Sequence, residues 1–400
     1  MTLTRRLALA TAALLPGAAM LPGTALARPQ RAKKAAPPAG PPGETPLGPV
    51  GTNAKWAFVQ DYSTGAVLLD KHADEPMPPS SMTKLMTMYL VYERLKKGQM
   101  KLTDTLPVSA RAAAMGGSRM FLQAGSTVAV EDLIRGVIVQ SGNDAAVAFA
   151  EAIGGSEEHF AELMNAKAKE IGLTRTVYRN ATGWPDPEQI MSARDIATLA
   201  RHIIAEYPEF YRYDSEKSYK YNGIEQENRH PMVQAGTADG LKTGHTDAGG
   251  FGLAASSARN GRRLIMVMNG MKSMHERALE SERMMNWAFA GFENVTLFSA
   301  GEVVETAPVW LGREKTVKLV GGHDLIVTMP RSWRQTASIK VIYDAPIKAP
   351  IAKGDAVATL RLRGAGVPNM DVKLLAGADV PRLTLPFRGL AVVSRYVSGG

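Results

Sequence analysis

The sequence predicts an α+β domain followed by a small all-β domain. Strand-like runs stand at both ends of a long helical middle, and after residue 297 short apolar runs alternate with Gly, Pro and Asp signals. Between these two regimes the character breaks near Ser299-Ala300-Gly301. With 400 residues, 45% hydrophobic and 21% charged, the chain is globular and long enough for two domains.

The elements follow in order. Arg5-Arg6 precede an apolar, alanine-rich run ending at Ala25-Leu26-Ala27, the small-x-small form of a cleavage site, so residues 1–27 read as a signal peptide. The rival is a transmembrane anchor, but Pro16 and Pro22 interrupt the run, which is short for a span. Paired arginines occur in more than one export route, so the route stays open. Residues 28–52, rich in Pro, Ala, Gly and Lys, have no apolar period and read as a tether or a disordered mature terminus.

From Lys55, Trp56–Asp61 and Ala66–Asp70 form a hairpin around Ser63-Thr64-Gly65. A helix follows Pro78-Pro79, with Ser81 at its start and Leu85, Met88, Tyr89 and Leu95 at helical spacing. Glu131–Gln140 and Asp144–Ile153 read as helices joined at Ser141-Gly142-Asn143, with further helices around Phe160–Ile171, Ser192–Ile204 and Met274–Ala290. Phe251–Ser256 and Arg263–Met268 form a hairpin across Asn260-Gly261. In the second domain, Thr316–Val320, Leu325–Met329, Ser338–Ile342, Val357–Leu362 and Val372–Leu375 are strands.

Composition excludes several classes. There is no cysteine, hence no disulfide, thiolate metal site or cysteine nucleophile, and the seven histidines show no metal-ligand spacing. We expect no metal and no cofactor. The formal charge of +9 is concentrated in residues 1–50, which carry a net +5 and leave +4 for the rest, with no nucleic-acid motif.

Three segments carry chemistry: Ser81-Met82-Thr83-Lys84, Ser141-Gly142-Asn143 and Lys242-Thr243-Gly244. Positions i and i+3 share a helix face, so Ser81 and Lys84 can meet, and Ser81 is the one serine with lysine at +3. A serine hydroxyl needs a base beside it and donors for the oxyanion that forms. A lysine serves as base only when it is desolvated or placed near another cation, which Lys242 can provide. Each segment alone is an ordinary helix start, turn or strand end. Their conjunction describes a serine acyl-transfer site whose base is a lysine.

In these segments the chain resembles the penicillin-binding proteins, and among them the low-molecular-mass D-alanyl-D-alanine carboxypeptidases. The likeness spans roughly residues 53–385 and includes Pro79–Thr87, Met120-Phe121-Leu122, Gly136–Ala145 and Asp239–Thr246. It implies a penicillin-binding/serine β-lactamase-like domain over 53–298, with a helical subdomain, and a C-terminal β-sandwich over 299–385. It further implies that Ser81 is the nucleophile and Lys84 its base. Ser141 would relay a proton to the leaving amine, Asn143 would hold the substrate amide and the Lys84 amine, and Lys242 would line the cleft from an edge strand. The backbone N–H groups of Ser81 and His245 would hold the oxyanion, and Gly244, between Thr243 and His245 on the strand, would belong with them to the substrate-binding edge. Arg229, Arg277 and the Thr243 hydroxyl match the places where the family binds the terminal carboxylate. The implied partners are a peptidoglycan stem pentapeptide and β-lactam antibiotics as covalent inhibitors, in the periplasm, with no nucleic acid.

Rival readings leave marks in the sequence. A serine β-lactamase usually carries a deacylating Glu-x-x-x-Asn, but Ala161 stands where that glutamate would be before Asn165. Endopeptidase relatives commonly lack the second domain, and a non-catalytic wall-binding protein would have lost a catalytic side chain. Many relatives end in a long amphipathic helix. Here the tail, residues 386–400, has Phe387, Leu390, Val393 and Val397 with Arg388 and Arg395, and Gly389 weakens it. It fits a short peripheral anchor on the outer face of the cytoplasmic membrane or a frayed end.

Overall fold

The computed structural model describes residues 40–398, so the signal-peptide reading and the first part of the expected tether lie outside the described residues. Among the described residues, one compact unit comprises 40–295 and 327–332, and a second comprises 296–326 and 333–398.

The frame of the first unit is a five-stranded antiparallel sheet in the order Val67–Lys71, Trp56–Asp61, Arg262–Met271, Gly250–Arg259, Gly240–Thr246. Successive side chains of a strand point to opposite faces, and here both faces are covered. Trp56 and Phe58 join one core cluster and Ala57 and Val59 the other, which is why Trp56–Asp61 is buried throughout instead of alternating with solvent. Helix Met274–Gly291 supplies Met284, Met285 and Ala288 to one face. Helix Ala193–Glu206, capped by Ser192 Oγ accepting from Asp195 N at 3.1 Å, supplies Ile196 and Ala197 to the other. The expected hairpin turn is present: Asn260 and Gly261 both take positive φ, 50° and 78°, as a tight two-residue turn requires.

Helix Lys84–Lys96 runs through the larger cluster, and every residue from Lys84 to Tyr92 is buried. A helix sequestered on all sides belongs to the core, so the position of Lys84 in its first turn already removes that lysine from water. Helices Val130–Ile138, Asn143–Gly154 and Glu157–Glu170 complete the helical region.

The expected tether needs one correction. From residue 40 onward it is ordered: Pro42–Gly43 pairs with Val50–Gly51, and Glu44 and Asp70 exchange both backbone hydrogen bonds, at 2.7 and 2.9 Å. Backbone pairing requires no apolar period, so composition gave no sign of it. Gly43 permits the approach, since a Cβ there would lie 2.7 Å from Leu69 Cδ1.

The second unit holds a six-stranded sheet in the order Ser338–Ile342, Ala356–Arg363, Met370–Ala376, Thr316–Gly321, Val303–Trp310, Ile347–Lys348. Its pairs are antiparallel except the last, which is parallel. Val303–Trp310 was concealed by Pro308, a residue that cannot donate to a ladder and here stands opposite Thr316. The tail forms a helix, Leu385–Ser398, with Leu385 and Phe387 exposed. Among the described residues no helix is long and apolar enough to cross a membrane.

Candidate active site

Ser81 sits in a 3₁₀ turn, Ser80–Thr83, that leads directly into helix Lys84–Lys96. Ser80 takes a left-handed φ of 47°, an unfavourable conformation for a residue with a Cβ. Two glycines clamp the turn. A Cβ on Gly183 would fall 1.8 Å from the Ser80 carbonyl oxygen, and one on Gly244 would fall 2.1 Å from Ser80 Oγ and 3.1 Å from Ser81 N. Gly183 itself has φ of 81°, so both its space and its backbone exclude a side chain. The Lys242-Thr243-Gly244 strand and the Thr182-Gly183 loop are thereby pressed against the backbone of the nucleophile.

Lys84 Nζ is fully buried and donates to three acceptors: Ser81 Oγ at 3.0 Å, Asn143 Oδ1 at 2.7 Å and the Thr182 carbonyl at 2.6 Å. Burial, and after it the charges of Lys242 and Arg229, holds its ammonium well below the usual lysine range. Once the proton is lost, the two remaining N–H bonds can satisfy Asn143 and Thr182, and the lone pair faces the Ser81 hydroxyl. That is the arrangement a general base requires.

Ser141 precedes helix Asn143–Gly154 with φ of 59°, and Lys242 Nζ donates to its hydroxyl at 2.7 Å and to the Thr243 carbonyl at 3.2 Å. Lys242 is also buried, and its pKa is pushed down to about 7 by burial, with Arg229 and Arg277 adding to the drop and Asp214 opposing it. Asn143 is fixed from its other end, where Nδ2 donates to the Gly116 carbonyl at 2.8 Å. Beside it the buried Asp144 carboxylate accepts from the backbone N–H groups of Met120 and Leu122, each at 3.1 Å, and so holds the 116–122 loop against the site.

Arg229 and Arg277 stand in the same electrostatic neighbourhood. Arg229 is exposed and donates from Nη1 to Ser118 Oγ at 2.6 Å. Arg277 is 6% exposed, donates from Nη2 to the Arg229 carbonyl at 3.3 Å, and has no partner for its buried Nε. Its pKa is lowered to about 10 by burial and then by Arg229. Among the described residues neither arginine is paired with a carboxylate. Thr243 is buried on the edge strand, and His245, exposed, stacks on Phe251 with ring centroids 3.9 Å apart. Below them His230 is buried and neutral, its pKa pushed down to about 3 mainly by burial, with Nε2 to the Ala254 carbonyl at 3.2 Å.

The structure thus brings the five residues together as two hydrogen-bonded sets, Ser81–Lys84–Asn143 and Ser141–Lys242, coupled by the charge of Lys242 on Lys84, with Arg229 and Arg277 adding their own charge. The sequence reading missed the Thr182 carbonyl, Gly183 and Asp144, and it had Gly244 as a substrate-binding position but not as a clamp on the turn that carries the nucleophile. Of these, Asp144 alone left a signal, an acid directly after the Ser141-Gly142-Asn143 segment. Glu162, the acid nearest to the absent lactamase position, is exposed and meets His159 at 2.9 Å, while Asn165 braces the backbone of Tyr178.

Comparison with known proteins shows the family of the chain. The family model for D-alanyl-D-alanine carboxypeptidase matches residues 44–273, and that for the penicillin-binding protein 5 C-terminal domain matches residues 292–382. The D-alanyl-D-alanine carboxypeptidase DacC of Escherichia coli is 39% identical over 319 residues, 77% of this chain and 79% of the relative. The carboxypeptidase DacA of Haemophilus influenzae is 37% identical, covering 82% of this chain and 84% of the relative. Among solved structures, penicillin-binding protein 5 of Haemophilus influenzae aligns with a TM-score of 0.70 at 36% identity, covering 82% of this chain and 98% of that one. The DacD carboxypeptidase of Francisella tularensis gives a TM-score of 0.74 at 28% identity, covering 83% and 95%. The chain belongs to the serine-type D-alanyl-D-alanine carboxypeptidase family of penicillin-binding proteins.

Proposed function

We propose that this carboxypeptidase removes the terminal D-alanine of a peptidoglycan stem pentapeptide through an ester on Ser81. Neutral Lys84 takes the Ser81 proton as Oγ attacks the carbonyl carbon of the penultimate D-alanine. The oxyanion is received by the backbone N–H groups of Ser81 and His245. As the tetrahedral intermediate collapses, the C–N bond breaks, Ser141, polarised by Lys242, passes its hydroxyl proton to the leaving amine, and the Lys84 ammonium reprotonates Ser141 and so returns to its neutral form. Water then hydrolyses the ester, with the Lys84 amine again placed to take the proton. Asn143 positions the amide and the lysine, and Arg229, Arg277 and Thr243 receive the free carboxylate.

The observation that carries this reading is the 3.0 Å contact between Lys84 Nζ and Ser81 Oγ, made by a fully buried lysine. Two unpaired arginines beside Lys242 support a substrate that ends in a carboxylate. A β-lactam presents a strained acyl group and an anion to the same residues, which makes Ser81 its point of attachment. Mass spectrometry of a defined pentapeptide after incubation tests the substrate: release of one terminal D-alanine is expected, and cleavage at a cross-bridge would replace the reading.

The organisation that goes with this function is an exported chain cleaved near Arg28, a catalytic domain to about residue 298, and a β-sandwich to about residue 385. The tail helix would lie on the outer face of the cytoplasmic membrane, supported by the exposure of Leu385, 79%, and Phe387, 60%. Fractionation with and without residues 386–400 tests it: release of the truncated protein from membranes is expected, and unchanged partition removes the anchor.

A further inference from the structure

Charge divides unevenly between the two units. Among the described residues the first unit carries 28 Lys and Arg against 30 Asp and Glu, a net −2, while the second, up to residue 385, carries 11 against 8, a net +3. The excess lies on one face of the six-stranded sheet. Along Ala356–Arg363 and Met370–Ala376, Leu360, Leu362, Leu374 and Ala376 are buried on one side, and Arg361, Arg363, Asp371 and Lys373 alternate with them on the other. The register extends that outer face to Lys340, opposite Arg361, and across Leu375 and Val320 to Lys318, opposite Thr306.

On these four strands five cations thus share the face with one acid. Asp371 is already held by Arg361 at 3.1 Å and by Arg363 at 2.9 Å. Lys318, Lys340 and Lys373 are exposed, and none has an acid within ion-pair distance among the described residues. With strands about 4.8 Å apart and same-face residues about 6.8 Å apart along a strand, the line from Lys340 through Arg361 and Lys373 to Lys318 crosses the sheet diagonally over roughly 25 Å. Gathering like charges raises their self-repulsion and stabilises nothing in the fold; it creates a field that draws an anion.

The face also selects the kind of anion. Its outward apolar residues, Ile342, Leu375 and Val320, are half-buried, so it offers no side chain to insert into a lipid layer. Ser338, Thr359 and Thr316 stand among the cations with hydroxyls for hydrogen bonds. A hydrated, extended polyanion with charges spaced along its length matches such a surface. The polymer that bears the stem peptides is one: each stem ends in a carboxylate, and hydrolysis of the terminal peptide bond leaves a new carboxylate on the acyl product.

We propose that the outer face of Ser338–Ile342, Ala356–Arg363, Met370–Ala376 and Thr316–Gly321 binds the anionic wall polymer whose stem peptides the first unit trims. The identity of that polymer rests on the carboxypeptidase reading above. Holding one segment raises the effective concentration of neighbouring stems for Ser81, and the product, still anionic, keeps the protein attached between turnovers.

The test uses the whole chain, pelleted with purified, pentapeptide-rich peptidoglycan at low and high salt. Lys318→Glu/Lys340→Glu/Lys373→Glu reverses the face, and Lys101→Glu/Lys169→Glu/Lys220→Glu makes the same total change on exposed lysines of the first unit. Wild type is expected to pellet with the polymer at low salt and to be released at high salt. The face variant should bind about tenfold or more weakly, and the first-unit variant within about twofold of wild type. D-Alanine release from soluble pentapeptide should stay within about twofold in both, while release from the polymer should fall about tenfold in the face variant alone. Salt-insensitive pelleting, equal binding by all three proteins, or an equal loss in both variants would overturn the face as the binding surface. So would unchanged polymer binding with loss of binding to vesicles of anionic phospholipid, which would assign the face to a lipid layer. Soluble pentapeptide left intact by a protein that still takes up benzylpenicillin and still pellets through this face would instead overturn the carboxypeptidase reading and leave the binding surface standing.

Discussion

In the first unit Lys84, Lys242 and Arg277 are each 6% exposed or less and none is paired with an acid, whereas in the second unit, among the described residues, no charged side chain is buried. Charges there meet in exposed pairs such as Arg361–Asp371 and Arg363–Asp371. Removing an unpaired ammonium from water is expensive by several kcal/mol unless the group gives up its proton. A fold that holds two lysines this way gains bases and acids that function near neutral pH. Exposed ion pairs contribute little and shift nothing of consequence. Three buried, unpaired cations converge where the chemistry is, whereas Lys71, as buried and without an ion pair, donates to the Thr52 and Ala54 carbonyls, and the second unit is a packed β scaffold that needs none.

The sharpest way to break this contrast is at Lys84. Lys84→Gln removes the base while a polar side chain remains for Asn143 and Thr182, and β-lactam acylation should fall by about 10²- to 10⁴-fold without loss of folding. A stopped-flow acylation rate within tenfold of wild type would show that the buried lysine is not the base.

Lys242→Gln should slow acylation by about 10- to 100-fold and also move its pH profile. Lys84 is held low in part by the Lys242 charge, so its removal raises the Lys84 pKa and carries the acidic limb to higher pH. In wild type the profile should rise as Lys84 loses its proton and fall as Lys242 loses its own at about 7. An acidic limb that stays in place in the variant would separate the two lysines. Stability carries a matching sign: Lys242 has a pKa of about 7 in the fold, against ~10.4 unfolded. The unfolded chain thus binds more protons between those values, and stability rises with pH across that window. The variant should flatten this rise in a thermal-melt series.

Arg277→Ala should lower kcat/KM for peptides with a free terminal carboxylate by about tenfold or more, with a smaller effect on penicillin acylation. Unchanged peptide kinetics would remove Arg277 from substrate recognition. At the other end of the scale, Arg361→Ala in the second unit should leave acylation unchanged and the melting temperature within about 2 °C. A larger drop would mean that the second unit depends on its charges after all.

The amount legible in the sequence follows the range of the forces involved. Helices with a clear period and a serine cap, such as Ala193–Glu206, could be read to within two residues, because caps and apolar stripes are local. Ser81 and Lys84 were legible because an i, i+3 relation is local too. The Lys84–Thr182 contact joins residues 98 apart and uses a carbonyl, which every residue has, so no side-chain pattern can reveal it. Gly183 and Gly244 needed the fold as well, since a glycine shows its reason only when its neighbour is known. The edge strand Gly240–Thr246 is short and buried along most of its length, so it has no alternation, and its place came from the Lys242-Thr243-Gly244 segment. The pairing of Glu44 with Asp70 is a backbone event in a Pro- and Gly-rich stretch, where composition argues the other way.

The account depends most directly on which atom is acylated. The protein should be trapped with a slowly released β-lactam at neutral pH, digested, and mapped by tandem mass spectrometry. One adduct per chain on Ser81 is predicted, absent in Ser81→Ala and greatly slowed in Lys84→Gln. An adduct on any other residue, or labelling that persists in Ser81→Ala, would contradict it.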